Sequence, residues 1–219
     1  MSIGLLLDRR GMRLASQGDN AQTFVLLGDA HLVTEGNTLY GQDPVDQLRK
    51  IIDVVNEDHC EACAAFFLGN LVQNGLDSEY LTAKALISRL CCSAFIIVGN
   101  HDNRRRVAAT FPGHSIGPEG FLQYCVDAGK IRFVVLDTVC DGTANGALCE
   151  RRLAWLDHQL AGTDRRVVIL MHHQPLAVGL NIDSIRLRDG DALAEVLCRH
   201  RRVIELIVFG HIHRTTCGT

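Results

Sequence analysis

The chain has 219 residues, 47% of them hydrophobic, which suffices for one sizeable core. A formal charge of −3 and only 5% aromatic residues argue against a general nucleic-acid binder or a base-stacking groove. No stretch approaches the ~18 uninterrupted apolar residues of a membrane span. The opening MSIGLLLDRRGMR lacks the basic start and long apolar core of a secretory leader. Nine cysteines, an odd number, then point to reduced thiols and a cytoplasmic setting. CEAC (60–63) has redox or zinc spacing, but no second such pair accompanies it, so these residues read as small apolar fillers.

In chain order, residues 1–22 are weakly patterned and remain an unplaced N-terminal segment, with one domain over 23–219. TFVLLG (23–28) is short, apolar and rich in branched residues, as a buried strand is. PVDQLRKIIDVVNE (44–57) follows as a helix, with Pro44 in its first turn and Leu48, Ile51, Ile52 and Val55 on one face. AAFFLG (64–69) is a second strand, and SEYLTAKALISRL (78–90) a helix that Ser78 would cap. SAFIIVG (93–99) is a third strand. The stretch 110–130 reads as a Pro/Gly-rich loop leading to a further strand. IRFVVLD (131–137) and RVVILM (166–171) flank a helix over 150–162, which ends on Gly162. A helix over 191–200 precedes the last strand, VIELIVFG (203–210). This alternation predicts an α/β fold with right-handed crossovers and a largely parallel core sheet.

Ligands in such sheets gather at the carboxyl ends of strands. Here five strand ends run into polar groups: Asp29 and His31; Asn70; Asn100, His101 and Asp102; His172 and His173; His211 and His213. A carboxylate beside imidazoles suits iron, manganese or zinc better than calcium. Alone, D-x-H reads as a turn Asp with a surface His, G-N-H-D is compatible with an ordinary turn and M-H-H with core-edge histidines, whereas the spacing of G-H-I-H suits paired metal ligands.

As an ordered set, D-x-H (29–31), G-N (69–70), G-N-H-D (99–102), His172 and G-H-I-H (210–213) resemble the calcineurin-like metallophosphoesterases. Within that family the chain is most similar to the bacterial class III cyclic-nucleotide phosphodiesterases and glycerophosphodiesterases. LYGQD (39–43), WLDHQL (155–160) and NIDSIRLRDGDALAEVL (181–197) carry that closer likeness. The resemblance implies a four-layer α+β sandwich, two mixed sheets flanked by helices. It implies two divalent or mixed-valence ions (Mn, Fe or Zn), one on Asp29, His31 and His213, the other on Asn100, His172 and His211. Residue 70 would bridge them. His173 would neighbour the ligand His172, or replace it if the register slips by one. The resemblance also assigns His101 to protonating the leaving alkoxide or holding phosphate charge, with Asp102 orienting it or bracing the loop. Asn100, His101 and Arg104 would contact substrate phosphate, whereas Arg105 and Arg106 read as a solvated helix start.

The implied activity is hydrolysis of a small phosphodiester, a cyclic nucleotide or glycerophosphodiester, by water activated between the ions. Phosphomonoesterase, nuclease and non-catalytic binding module are the alternatives. No membrane or nucleic-acid partner is expected, and a homodimer is. The family pattern has Asp where this chain has Asn70. Three readings stand: an Asp-to-Asn change that disables turnover, a natural site of weaker or mononuclear character, or a binding surface without catalysis. Chains of this subgroup usually continue beyond the equivalent of His213, so either a C-terminally truncated chain or a minimal version is expected.

Overall fold

The computed structural model describes residues 22–214. The segment expected over 1–22, apart from Gln22, and Cys217 lie outside the described residues. Strands β1 (Phe24–Leu27), β2 (Ala64–Leu68) and β3 (Ser93–Ile97) form one parallel sheet in the order β1-β2-β3. Strands β4 (Tyr124–Ala128), β5 (Ile131–Val135), β6 (Arg166–Met171) and β7 (Ile204–Phe209) form a second sheet in sequence order. It is mixed, because β4 pairs antiparallel with β5 and the other pairs are parallel. Helices α1 (Pro44–Asp58), α2 (Asp77–Ile87) and α3 (Arg104–Thr110) belong to the first half of the chain. Helices α4 (Glu150–Ala161) and α5 (Gly190–Arg199) belong to the second.

The apolar runs are continuous because the middle strands are buried on both faces. In β2, Ala65 and Phe67 join the core shared with α1 and α2, through Leu48, Ile52, Val55, Tyr80 and Ala83. Its Ala64, Phe66 and Leu68 turn the other way and meet Phe133, Val135, Val168 and Leu170 of the second sheet. In β6, Val168 and Leu170 face that shared core, while Val167, Ile169 and Met171 pack with Leu156 and Leu160 of α4 and Leu193 and Val196 of α5. Period-two alternation thus builds helix, sheet, sheet, helix in four layers. Phe66 and Phe133 lock the two sheets, with ring centroids 4.5 Å apart and Phe24 4.7 Å from Phe133. Each such buried side chain contributes about 1.5–3 kcal/mol.

Two local expectations need correction. The alternation gives two sheets rather than one, since β4 and β5 form a hairpin at Gly129 (φ 60°) that starts the second sheet. Helix α2 begins at Asp77, so Ser78 lies inside it. Its first turn is satisfied by Glu79, whose carboxylate accepts from the amides of Asn74 (3.0 Å) and Leu76 (3.1 Å). The helix start read at Arg105 and Arg106 is present as a short helix over 104–110, which Asn103 caps by accepting from the Arg106 amide. Helix α1 behaves as read, with Pro44 in its first turn and Asp43 capping it through the amides of Val45 and Asp46.

A candidate metal centre

The carboxyl ends of β1, β2 and β3 in one sheet and of β6 and β7 in the other bring the predicted residues to one rim. Two groups of three donors form. Asp29 Oδ1 lies 3.4 Å from His213 Nε2 and 3.8 Å from His31 Nε2, and those two ring nitrogens are 3.2 Å apart. His172 Nε2 lies 3.1 Å from Asn100 Oδ1 and 3.2 Å from His211 Nδ1. The groups adjoin, because Asp29 Oδ2 accepts from the His211 amide at 2.9 Å.

The backbone reaches this arrangement by an uncommon route. Among the described residues six that are not glycine have positive φ, and five are Asp29, His31, Asn70, His211 and His213. The left-handed region costs such residues about 1–2 kcal/mol each. Strain gathered at one place marks a functional site. The glycines of the motifs have a matching cause. A Cβ on Gly69, whose φ is 93°, would collide with the His172 ring, and one on Gly99 would collide with the Asn70 amide.

Second partners fix the imidazole tautomers. His172 Nδ1 donates to the Leu68 carbonyl at 2.8 Å, so Nε2 keeps its lone pair facing Asn100 and His211. His31 Nδ1 donates to Gln73 Oε1 at 2.7 Å, so its Nε2 likewise faces Asp29 and His213. Burial holds His31 neutral, its pKa lowered to about 4 against the pull of Asp29. Burial, then His172, lowers His211 to about 3. Burial opposes the charge on Asp29, but the His213 hydrogen bond and the surrounding imidazoles outweigh it and hold its pKa below the ordinary value.

His173 lies beside His172 and His211, yet both its nitrogens are committed: Nδ1 accepts from the Thr138 hydroxyl at 2.8 Å and Nε2 donates to the Ala144 carbonyl at 3.1 Å. No lone pair remains for an ion, whereas His172 presents one.

One residue sits differently from the sequence reading, and for Asp102 the structure favours one of its two expected roles. Arg104 was expected on substrate phosphate. Instead Asp137 grips its guanidinium at 2.5 and 3.0 Å, and Asp141 and the Val139 carbonyl each take a further N–H at 2.6 Å. It ties α3 to the loop after β5. Asp102 does not orient the His101 ring. It braces loops, accepting from the amides of Gly99 (2.9 Å), Leu71 (3.2 Å) and Val72 (3.3 Å). Burial lifts its pKa to about 6 in spite of those donors. The His101 ring is held by the Gln73 main chain, its Nδ1 donating to that carbonyl at 2.8 Å. Its Nε2 is thereby left to meet a ligand.

Gln73 is the functional residue that sequence reading passed over. One residue supplies both a side-chain acceptor to His31 and a main-chain acceptor to His101. Its place three residues after Asn70 was the available signal.

Six donors thus fit divalent ions: each group offers three lone-pair-bearing atoms from buried or half-buried side chains. Asn70 does not fit. Its Oδ1 accepts from the His101 amide at 3.0 Å, and its Nδ2 points at Asp29 Oδ1 (3.3 Å) and His31 Nε2 (3.4 Å). A donor NH2 faces the place where a bridging acceptor would be needed.

Comparison with known proteins agrees with this geometry. The family model for calcineurin-like phosphoesterases matches residues 22–215. A protein of Rhodopseudomonas palustris named as a probable cyclic nucleotide phosphodiesterase is 34% identical over 200 residues, covering 89% of this chain and 73% of its own. A protein of Arcobacter nitrofigilis named as a probable glycerophosphodiester phosphodiesterase is 29% identical, covering 88% of this chain and 72% of its own. A 3′,5′-cyclic adenosine monophosphate phosphodiesterase of Pseudomonas aeruginosa is 28% identical, with 90% and 71% covered. Among solved structures, a purple acid phosphatase from yellow lupin superposes with a TM-score of 0.65 at 17% identity, over 88% of this chain and 38% of the lupin chain.

Proposed function

The chain belongs to the calcineurin-like phosphoesterase family, and from that membership we propose that it hydrolyses a small phosphodiester, a cyclic nucleotide or a glycerophosphodiester. The bacterial relatives with those names, 34% and 29% identical, support the substrate class. The observation that carries the reading is the convergence of six lone-pair donors, with the tautomers of His172 and His31 already set by Leu68 and Gln73. Asp29, His31 and His213 would hold one divalent ion, and Asn100, His172 and His211 a second, with manganese, iron or zinc suited to the donor set. When bound, such ions activate water and neutralise phosphate charge.

The chain's own residues supply the rest. His101 donates through Nδ1 to Gln73, so a protonated ring has its Nε2–H free for the leaving alkoxide. Its amide, and behind it the Asn70 oxygen, fix the loop that carries it. Asp102 ties that loop to the one after β2, so Asn100 and His101 keep their spacing to His172 and His31. Asn100 reaches substrate through its Nδ2 while its Oδ1 faces His172. Eight described cysteines, all free thiols, favour a cytoplasmic setting. No helix of the described residues is long and apolar enough to cross a membrane. A homodimer rests on the family resemblance alone.

The test is turnover of bis(p-nitrophenyl) phosphate, p-nitrophenyl phosphate and cyclic AMP with Mn(II), for the chain itself and for Asn70→Asp. Diester hydrolysis well above monoester hydrolysis is expected. Hydrolysis of the monoester alone, or of neither by either form, refutes the proposal.

A further inference from the structure

We propose that Asn70 makes the two donor groups unequal. Asp29, His31 and His213 take one divalent ion tightly, and Asn100, His172 and His211 take a second at least ~100-fold more weakly, since loss of even an outer partner weakens a metal ~10–100-fold. This rests on reading the two groups as metal-holding.

Charge is the first reason. Of the seven side chains that converge, Asp29 alone is a carboxylate; five of the rest are imidazole or amide donors and the seventh is the Asn70 amide. One carboxylate must serve both groups, and it lies in the first, 3.4 Å from His213 and 3.8 Å from His31. The second group offers no formal charge. An ion there would face the first ion's repulsion with no anionic side chain between them.

Orientation is the second. The Asn70 oxygen is held by the His101 amide at 3.0 Å. Turning the amide over would set its NH2 against that N–H, donor against donor, and release the loop that carries His101. Oxygen therefore stays on the His101 side. The NH2 contacts to Asp29 and His31, at 3.3 and 3.4 Å, are long and yield to an ion, but no acceptor comes into the gap as they do. Asn70 also sits at φ 50°, wedged against Gly99, so the side chain has little room to adopt another course.

Chelator-stripped protein titrated with Mn(II), followed by calorimetry and by bound metal per chain after dialysis, decides it. One ion per chain is expected at low micromolar free Mn(II), rising toward two only at ~100-fold more or beyond. Asn70→Asp is expected to bind two in the low range. His213→Ala should lose the tight ion, and His172→Ala should keep it. Two equally tight ions in the unsubstituted chain overturn the proposal, even if Asn70→Asp fails to fold. So does a tight ion that survives His213→Ala and disappears in His172→Ala, or the absence of any bound ion. Stoichiometry as stated, without diester hydrolysis by either form, overturns the functional reading and leaves this one standing.

Discussion

Replacing Gln73 by Leu tests whether the tautomer of His31 is set from outside the donor group. The substitution removes Oε1, 2.7 Å from His31 Nδ1, and keeps the main-chain carbonyl that holds His101 at 2.8 Å. His31 is buried, so its Nδ1–H loses its acceptor without gaining water, and the ring samples the tautomer whose Nε2 carries the proton. That form cannot bind an ion. Loss of such an outer partner weakens metal binding ~10–100-fold, which is about 1.4–2.7 kcal/mol. The metal-free protein should lose a further ~1–3 kcal/mol of stability for the unsatisfied donor. Calorimetric Mn(II) titration reads the first effect and urea unfolding of the stripped protein the second. Gln73→Glu restores an acceptor at the same place and should recover the affinity. Unchanged Mn(II) affinity in Gln73→Leu, or no recovery in Gln73→Glu, would show that His31 is oriented by something other than residue 73.

Further outcomes follow from particular contacts. His101→Ala should slow cyclic AMP hydrolysis ~10²–10⁴-fold but spare bis(p-nitrophenyl) phosphate, whose leaving group needs no proton; equal losses on both would remove His101 from proton transfer. His173→Ala should leave bound metal unchanged while orphaning the Thr138 hydroxyl, at about 1–3 kcal/mol in urea unfolding; loss of an ion instead would make His173 a ligand. Phe66→Ala opens the space between the sheets and should cost about 3–5 kcal/mol by the same measure, a loss under 1 kcal/mol placing the core elsewhere. Stability of the metal-free protein should fall as pH drops below about 6.5, because His31, His211 and His173 titrate near 4, 3 and 2 when folded, chiefly through burial, and so take up protons mainly on unfolding. Each contributes up to about 1.4 kcal/mol per pH unit, with Asp102, raised to about 6, working the other way; melting temperatures flat from pH 7 to 5 would contradict this.

The elements were legible in the sequence because double-sided burial writes strands as unbroken apolar runs and single-sided burial writes helices at period 3.6. AAFFLG and RVVILM needed no long-range information to be read as strands. That they belong to different sheets was not legible locally. Phe66 and Val168 face each other across a gap of about a hundred residues, and only pairing decides which strands hydrogen-bond and which stack. The donors were legible by type and order, since an ion requires carboxylate and imidazole at strand ends. The supporting contacts were not. Arg104 follows His101 by three residues and so reads as a phosphate ligand, but Asp137 and Asp141, more than thirty residues later, claim its guanidinium. Gln73 was passed over because half its contribution comes from a carbonyl that every residue possesses.

The left-handed residues connect these observations. A strand that simply continued would send alternate side chains to opposite faces, so Asp29 and His31 would share a face but point along the sheet normal. Placing both at φ near 50° curls the chain at the strand end, and Asn70, His211 and His213 repeat the same turn from β2 and β7. The curl also exposes main-chain groups inward: the Leu68 carbonyl reaches His172, and the amides of His101 and His211 reach Asn70 and Asp29. Glycine would relieve the strain at any of these positions, yet it offers no donor atom. The five side chains are therefore kept against a cost of about 1–2 kcal/mol each, which the surrounding packing and hydrogen bonds, and any bound ions, must offset. At position 70 this reasoning has an edge. The fold spends the same strain to aim an amide as it does to aim Asp29, so the residue there is directed at the centre whether or not it carries charge. A full set of ions should accordingly stabilise the folded chain, and the rise in melting temperature on adding Mn(II) should be larger for Asn70→Asp than for the unsubstituted protein. An equal rise in both would mean that the charge at position 70 is felt by neither ion.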